Sequence, residues 1–287
     1  MNKGLRLVAR IGGLLAVYYV LQVLFLTLAT TLVVNMASNA GDIPPEAIDF
    51  ISNAKYLNDH PEVQDCLTNA RALGTLFSTV SMLLFIHFAG YYKLRKGLWC
   101  SLAPKPLFIS TLLVFSSIFA LNIFVQWFPL EDNLGDVFDR LSHNALGVFG
   151  LAVLAPLLEE VLFRGAIQGA LMRFFGRPWP AIIIGALVFG IIHWNPVQIV
   201  YATLFGIVLG WIYYRTGSLM SVIVGHVLNN TFAVITTVLG SSGEEETVAG
   251  GAPNVTGFIF FIALSVYFVV KLNKSLPPCK TESDFGF

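Results

Sequence analysis

The chain has 287 residues, of which 56% are hydrophobic and only 12% charged, with a mean hydropathy of +0.74. This composition excludes an ordinary soluble domain and reads as one integral membrane domain over 1–287. Its 17 basic and 17 acidic residues cancel, so no net charge would draw it to nucleic acid.

Stretches free of Asp, Glu, Lys and Arg cover 11–34, 72–92, 106–130, 141–158, 178–214, 216–243 and 247–270, and about 20 apolar residues suffice to cross a bilayer. Lys3, Arg6 and Arg10 precede the first stretch as in a secretory leader. Its uncharged core exceeds the roughly 7–15 apolar residues of a leader, so a retained helix is expected. Segment 35–71 is expected to be an extracytoplasmic loop, opened by Gly41 and Pro44-Pro45 and acting as a solvated connector with a surface helix, with a peripheral substrate-contacting cap as the alternative. The stretch 178–214 is too long for one crossing, and Trp194-Asn195-Pro196 divides it into two helices with a tight turn. The expected fold is therefore all-α, a polytopic transmembrane bundle of about eight helices.

Assigning loops alternately to the two sides reveals a polarity that the zero net charge hides. With the amino terminus inside, the inner segments hold Lys3, Arg6, Arg10, Lys93, Arg95, Lys96, Lys105, Arg173, Arg177, Arg215, Lys271, Lys274 and Lys280, and the outer ones only Lys55, Arg71 and Arg140. The excess of inner basic residues implies a multi-pass cell-membrane protein with both termini cytoplasmic. Cys66 then falls outside and Cys100 and Cys279 inside, so no disulfide is expected. The pairs Gly165/Gly169 and Gly206/Gly210 are spaced for close helix packing within the chain. Gly240-Ser241-Ser242-Gly243 runs into Glu244-Glu245-Glu246 and reads as a flexible loop rather than a nucleophile site.

The fourth stretch continues through Glu159, Glu160 and Arg164 toward Arg173. An ionisable side chain at mid-bilayer costs about 2.5–3.5 kcal/mol on insertion scales, so three between Glu159 and Arg164 call for partners or a function. Neighbouring residues on a helix point about 100° apart, whereas i and i+4 share a face. Glu160 therefore has Arg164 as a local partner, and Glu159 faces elsewhere. Two later helices offer Phe189 with His193 and His226 with Asn230. Counted at about 1.5 Å per residue from the nearest inner basic residue, Glu159 lies roughly 21 Å deep, His193 roughly 24 Å, His226 roughly 16 Å and Asn230 roughly 22 Å. These depths put the four at one level. On chemistry alone the cluster serves as a polar knot between helices, as part of a transport path, or as a hydrolytic site, with hydrolysis favoured.

In order, Glu159-Glu160…Arg164, Phe189…His193 and His226…Asn230 resemble the CPBP family, the CAAX prenyl endopeptidases and bacteriocin-processing (Abi) intramembrane proteases, over roughly residues 100–240. The resemblance implies a catalytic helical core there and a glutamate-dependent endopeptidase. Glu159 would activate a water that His193 helps to hold. His226 and Asn230 would stabilise the oxyanion, with Glu160 and Arg164 supporting the site. No cofactor is implied in this form; in the alternative, Glu159, His193 and His226 would ligate Zn with an open fourth position. A non-enzymatic immunity or interaction protein is the other reading. The implied partners are membrane lipid and a peptide or membrane-protein substrate, prenylated or not, and a bacterial cytoplasmic membrane is favoured. A cavity open to the cytoplasmic side is expected to admit water and substrate.

Overall fold

The computed structural model describes residues 2–92, 103–240 and 254–276, and every regular element among them is helical. In chain order these are α1 (Lys3–Ala40), α2 (Ala47–Phe50), α3 (Ala54–Asp59), α4 (Pro61–Phe88), α5 (Pro104–Val125), α6 (Gly135–Ser142), α7 (Ala145–Phe175), α8 (Pro178–Ile191), α9 (Pro196–Thr216), α10 (Leu219–Gly240) and α11 (Val255–Ser275). Seven of them are long and apolar enough to cross a membrane, and α8 is a shorter apolar helix. The chain is a polytopic helical bundle, with the eighth expected crossing reduced to that short helix. Proline opens α4, α5, α8 and α9, where its missing N–H costs nothing and its fixed φ suits a first turn. Gly41, Gly176 and Gly217 close α1, α7 and α9 with φ of 82°, 60° and 64°, the left-handed cap that glycine adopts without strain.

The basic helix ends meet at one end of the bundle. Arg10 of α1 donates to the Tyr91 carbonyl just beyond α4 at 3.4 Å and lies over the Tyr91 ring at 4.9 Å. Arg173 of α7 is within electrostatic reach of Arg10. Arg215 of α9 donates to Asn273 of α11 at 2.5 Å. The opposite end is joined by Asn144, which donates to Asn69 at 2.8 Å, and by Asn195, which donates to Asp132 at 2.7 Å.

One sequence expectation is refined in this frame. Segment 35–71 is mostly helix, because α1 continues to Ala40 and α4 begins at Pro61. At about 1.5 Å per residue α1 is roughly 57 Å long, beyond the roughly 40–45 Å of a bilayer with its headgroups. Its protruding end packs with the short α2 and α3 region in a cluster built on Val34, Ile43, Ala47, Val63, Cys66 and Leu67. The connector is thus a small cap with its own apolar core. Cys66 is a buried free thiol, whereas Cys100, Cys279, Ser241 to Gly243 and Glu244 to Glu246 lie outside the described residues.

Glycines let α8 and α9 approach closely. A Cβ on Gly190 would lie 2.7 Å from the Ile199 carbonyl oxygen and 2.0 Å from Thr203 Oγ1, and one on Gly206 would lie 3.1 Å from Ala186. Stripped of side chains, Gly206 and Gly210 also present carbonyls to α7. Arg164 donates to Gly206 at 3.4 Å, and Gln168 to Gly210 at 2.9 Å.

Candidate active site

The backbone of α7 departs from α-helical winding at the charged turn. Gly150–Leu154 and Glu160–Gln168 are π-helical and flank the α-helical Ala155–Glu159. The first widening has a cause in the sequence. Pro156 has no N–H to give and its ring crowds the preceding turn, so the chain winds i→i+5, with Ala155 N–H donating to the Gly150 carbonyl. In that register the partner of the Leu151 carbonyl would be Pro156, which cannot donate. Asn230 of α10 fills the position, its Nδ2 donating to Leu151 O at 2.9 Å.

The three charges divide as their helical positions require. Arg164 donates to Glu160 Oε1 at 2.6 Å, and both side chains are at most 2% exposed. The guanidinium also lies over the Phe189 ring, 4.4 Å from its centre. His226 joins this pair, with Nδ1 donating to Glu160 Oε1 at 2.7 Å. Its other nitrogen, Nε2, faces Glu159 Oε2 at 3.6 Å. One imidazole thus bridges the two carboxylates, and Phe189 and Phe205 meet its ring edge to face at 5.8 Å and 5.6 Å. Glu159 is the least buried of the four, at 14% exposure.

His193 follows α8 in a turn held from two sides. Its Nδ1 donates to the Phe189 carbonyl at 2.8 Å, which leaves Nε2 for the cavity. Trp194 has φ of 53°, a conformation that costs a non-glycine residue about 1–3 kcal/mol and persists only where its surroundings impose it. Here Trp194 Nε1 donates to the Tyr19 hydroxyl at 2.8 Å, and that hydroxyl donates to the Ile192 carbonyl at 3.2 Å. On the other side lies the Asn195 bond to Asp132.

Glu159, His193, His226 and Asn230 line one cavity of about 550 Å³, together with Asn122, Tyr201 and Asn229. Glu160 and Arg164 are not on its wall. Tyr201 donates to Asn229 Oδ1 at 2.6 Å, and Asn229 Nδ2 donates to Asn230 Oδ1 at 3.0 Å. The wall continues to Gln126, Asp132, Thr236 and Thr237, at the end of the bundle away from the clustered basic residues. On the orientation that the charges imply, this is the reverse of the expected cytoplasmic opening. Below Glu159 the path is shut, for Val161, Leu162, Phe163, Ala166 and Ile167 are at most 1% exposed.

Residues 141–232 match the family model described as Type II CAAX prenyl endopeptidase Rce1-like. This stretch is similar to the Rce1-like family. It spans Glu159 through Asn230, so all six residues singled out from the sequence fall within it. A Bacillus subtilis (strain 168) protein named "Putative membrane peptidase YdiL" is 31% identical over 109 residues, covering 37% of this chain and 43% of that protein. The match thus spans less than half of that relative. No solved structure matches the chain.

Among the described residues no group of three or more His, Cys, Asp or Glu side chains is placed to hold a metal. The Nδ1 bonds of His193 and His226 leave both Nε2 atoms turned away from their partners, the arrangement in which an imidazole meets either a water or a metal. Sequence reasoning missed the contribution of α1 to the site. Tyr18 lies within electrostatic reach of Glu159, and Tyr19 holds the His193 turn. A Tyr18-Tyr19 pair inside an aliphatic span was the available signal. Asn122, Tyr201 and Asn229 were likewise readable as isolated polar residues in apolar helices.

Proposed function

We propose that the chain is an intramembrane endopeptidase that hydrolyses a peptide or membrane-protein substrate with a water activated by Glu159, without a metal. The observation that carries this reading is the bridging of Glu159 and Glu160 by His226 at the floor of a closed-ended cavity. At 3.6 Å from His226 Nε2, Glu159 Oε2 is beyond a direct hydrogen bond and lies on the cavity wall, where its lone pairs are open to a water. Glu159 takes a proton from that water, the hydroxide attacks the scissile carbonyl carbon, and the same carboxyl returns the proton to the departing amine. Asn230 keeps one N–H free of the Leu151 carbonyl and turns it to the developing oxyanion. His193 Nε2 accepts from the water and orients it. Glu160 and Arg164 are positioning residues, acting on the reaction through His226.

This division of labour differs from the one the resemblance implied, because His226 is engaged with the carboxylates rather than with the oxyanion. The Rce1-like match and the named membrane peptidase both support hydrolysis. A transport path is disfavoured by the apolar plug below Glu159. The decisive variant is Glu159→Gln, which keeps size and removes the base. It is expected to insert normally and to abolish cleavage, as read by comparing membrane and secreted peptides from cells carrying either form; unaltered cleavage would exclude Glu159 as base. Dialysis of the purified chain against a tight chelator, with metal content measured, is expected to leave cleavage intact, and activity that disappears and returns with Zn would restore the metal reading.

A further inference from the structure

The cavity has one open end, and the chain's charges say which side of the membrane it faces. Asn122, Gln126, Asp132 and Thr236 are exposed residues of its wall, and all belong to helix ends or connections remote from Arg10, Arg173 and Arg215. Those three arginines mark the closed end, where Arg10 of α1 meets Tyr91 just beyond α4 and lies within electrostatic reach of Arg173 of α7, and Arg215 of α9 bonds Asn273 of α11. Only Lys55, Arg71 and Arg140 represent basic residues in segments at the open end. Basic residues near span ends set orientation because their transfer across the membrane is disfavoured, whereas acidic residues count for little.

The wall of the cavity also has a definite chemistry. From rim to floor it offers Asn122, Tyr201, Asn229 and Asn230, uncharged amides and a hydroxyl joined in sequence: Asn122 donates to Tyr201 at 3.5 Å, Tyr201 to Asn229 at 2.6 Å, and Asn229 to Asn230 at 3.0 Å. Side-chain amides carry both donors and acceptors, which matches the alternating N–H and C=O groups of an extended backbone. Aromatic Phe189 and Phe205 line the floor.

We infer that the cavity opens on the extracytoplasmic side and takes an extended polypeptide segment exposed or translocated there, rather than a cytosolic carboxyl terminus. The substrate class rests on the peptidase reading above; the orientation does not. Single cysteines in place of Gln126 or Thr236 at the rim, and of Lys105 or Lys271 at the basic end, are introduced into the full chain with its native cysteines replaced. Whole cells are treated with a membrane-impermeant maleimide. Gln126→Cys and Thr236→Cys are expected to label in intact cells, and Lys105→Cys and Lys271→Cys only after permeabilisation; the reverse pattern overturns the inference. Should the cysteine-free chain fail to accumulate, a fluorescent protein that matures only in the cytoplasm, fused to the carboxyl terminus of the unaltered chain, is expected to fluoresce, and a dark fusion at normal abundance overturns it equally. Mapping of new peptide termini in cells carrying the unaltered chain or Glu159→Gln tests the substrate. Glu159-dependent cleavages are expected in extracytoplasmic segments, and cleavages confined to cytoplasmic tails overturn that assignment. If no cleavage depends on Glu159, the peptidase reading fails while the labelling still decides the orientation.

Discussion

Glu159 and Glu160 are adjacent on one helix and differ in almost every physical respect. Glu159 lines the cavity and keeps 14% exposure, with His226 Nε2 at 3.6 Å as a loose neighbour. Glu160 is fully buried and receives short bonds from Arg164 and His226. A rotation of about 100° along the helix is enough to separate them. One carboxylate is left under-committed and open to water, and the other is consumed in making that possible. Two neighbouring isosteric substitutions should therefore fail in opposite ways.

The largest effect is expected from Glu159→Gln, a loss of cleavage of about 10²–10⁴-fold, the usual worth of a general base. Its thermal unfolding in detergent should match that of the unaltered chain. Glu160→Gln should invert the pattern by stranding Arg164 without a counter-charge. A loss of about 3–5 kcal/mol is expected, read as a lowered unfolding midpoint and reduced abundance in the membrane. Equal stability for the two variants would erase the distinction between the carboxylates. Asn230→Ala sharpens it further by orphaning the Leu151 carbonyl, at about 1–3 kcal/mol. Adding Pro156→Ala supplies the missing N–H and should recover stability but not cleavage. Gly190→Ala, directed at the contact between α8 and α9 rather than at either carboxylate, drives a methyl against the Ile199 carbonyl and Thr203; about 1–3 kcal/mol is expected from overpacking. The smallest effect belongs to Tyr19→Phe, which removes the hydroxyl between Trp194 and Ile192 and should cost about 0.5–1.5 kcal/mol in a thermal scan.

The sequence made the spans, the Glu160 to Arg164 pair and the convergence of the polar helices legible, because each depends on local period or on a run of hydropathy. Arg164 sits where i+4 spacing puts it, even though the backbone there is π-helical. Other features depend on contacts between residues far apart in the chain. The second bond of His226 and the strap from Tyr19 to the His193 turn cannot be read from spacing. Segment 35–71 holds more structure than its composition suggested. Charge and proline suggested a solvated connector, but Val34, Val63 and Leu67 were close enough across the turn to build a core. The direction of the opening was also hidden, since depth counted from basic anchors fixes level and not access.

The pairing of Glu160 with Arg164 within one helix bears on how such a helix enters the bilayer at all. During synthesis α7 reaches the membrane before α8, α9 and α10 exist, so neither Phe189 nor His226 is yet available to it. A carboxylate whose only partner lay on a later helix would have to cross the lipid charged and alone, at a penalty of several kcal/mol. With its counter-charge one turn away, the segment carries Glu160 and Arg164 in as a neutral dipole. Glu159 is then the single unpaired acid to be accommodated, and its arrival is completed only when α10 closes over it.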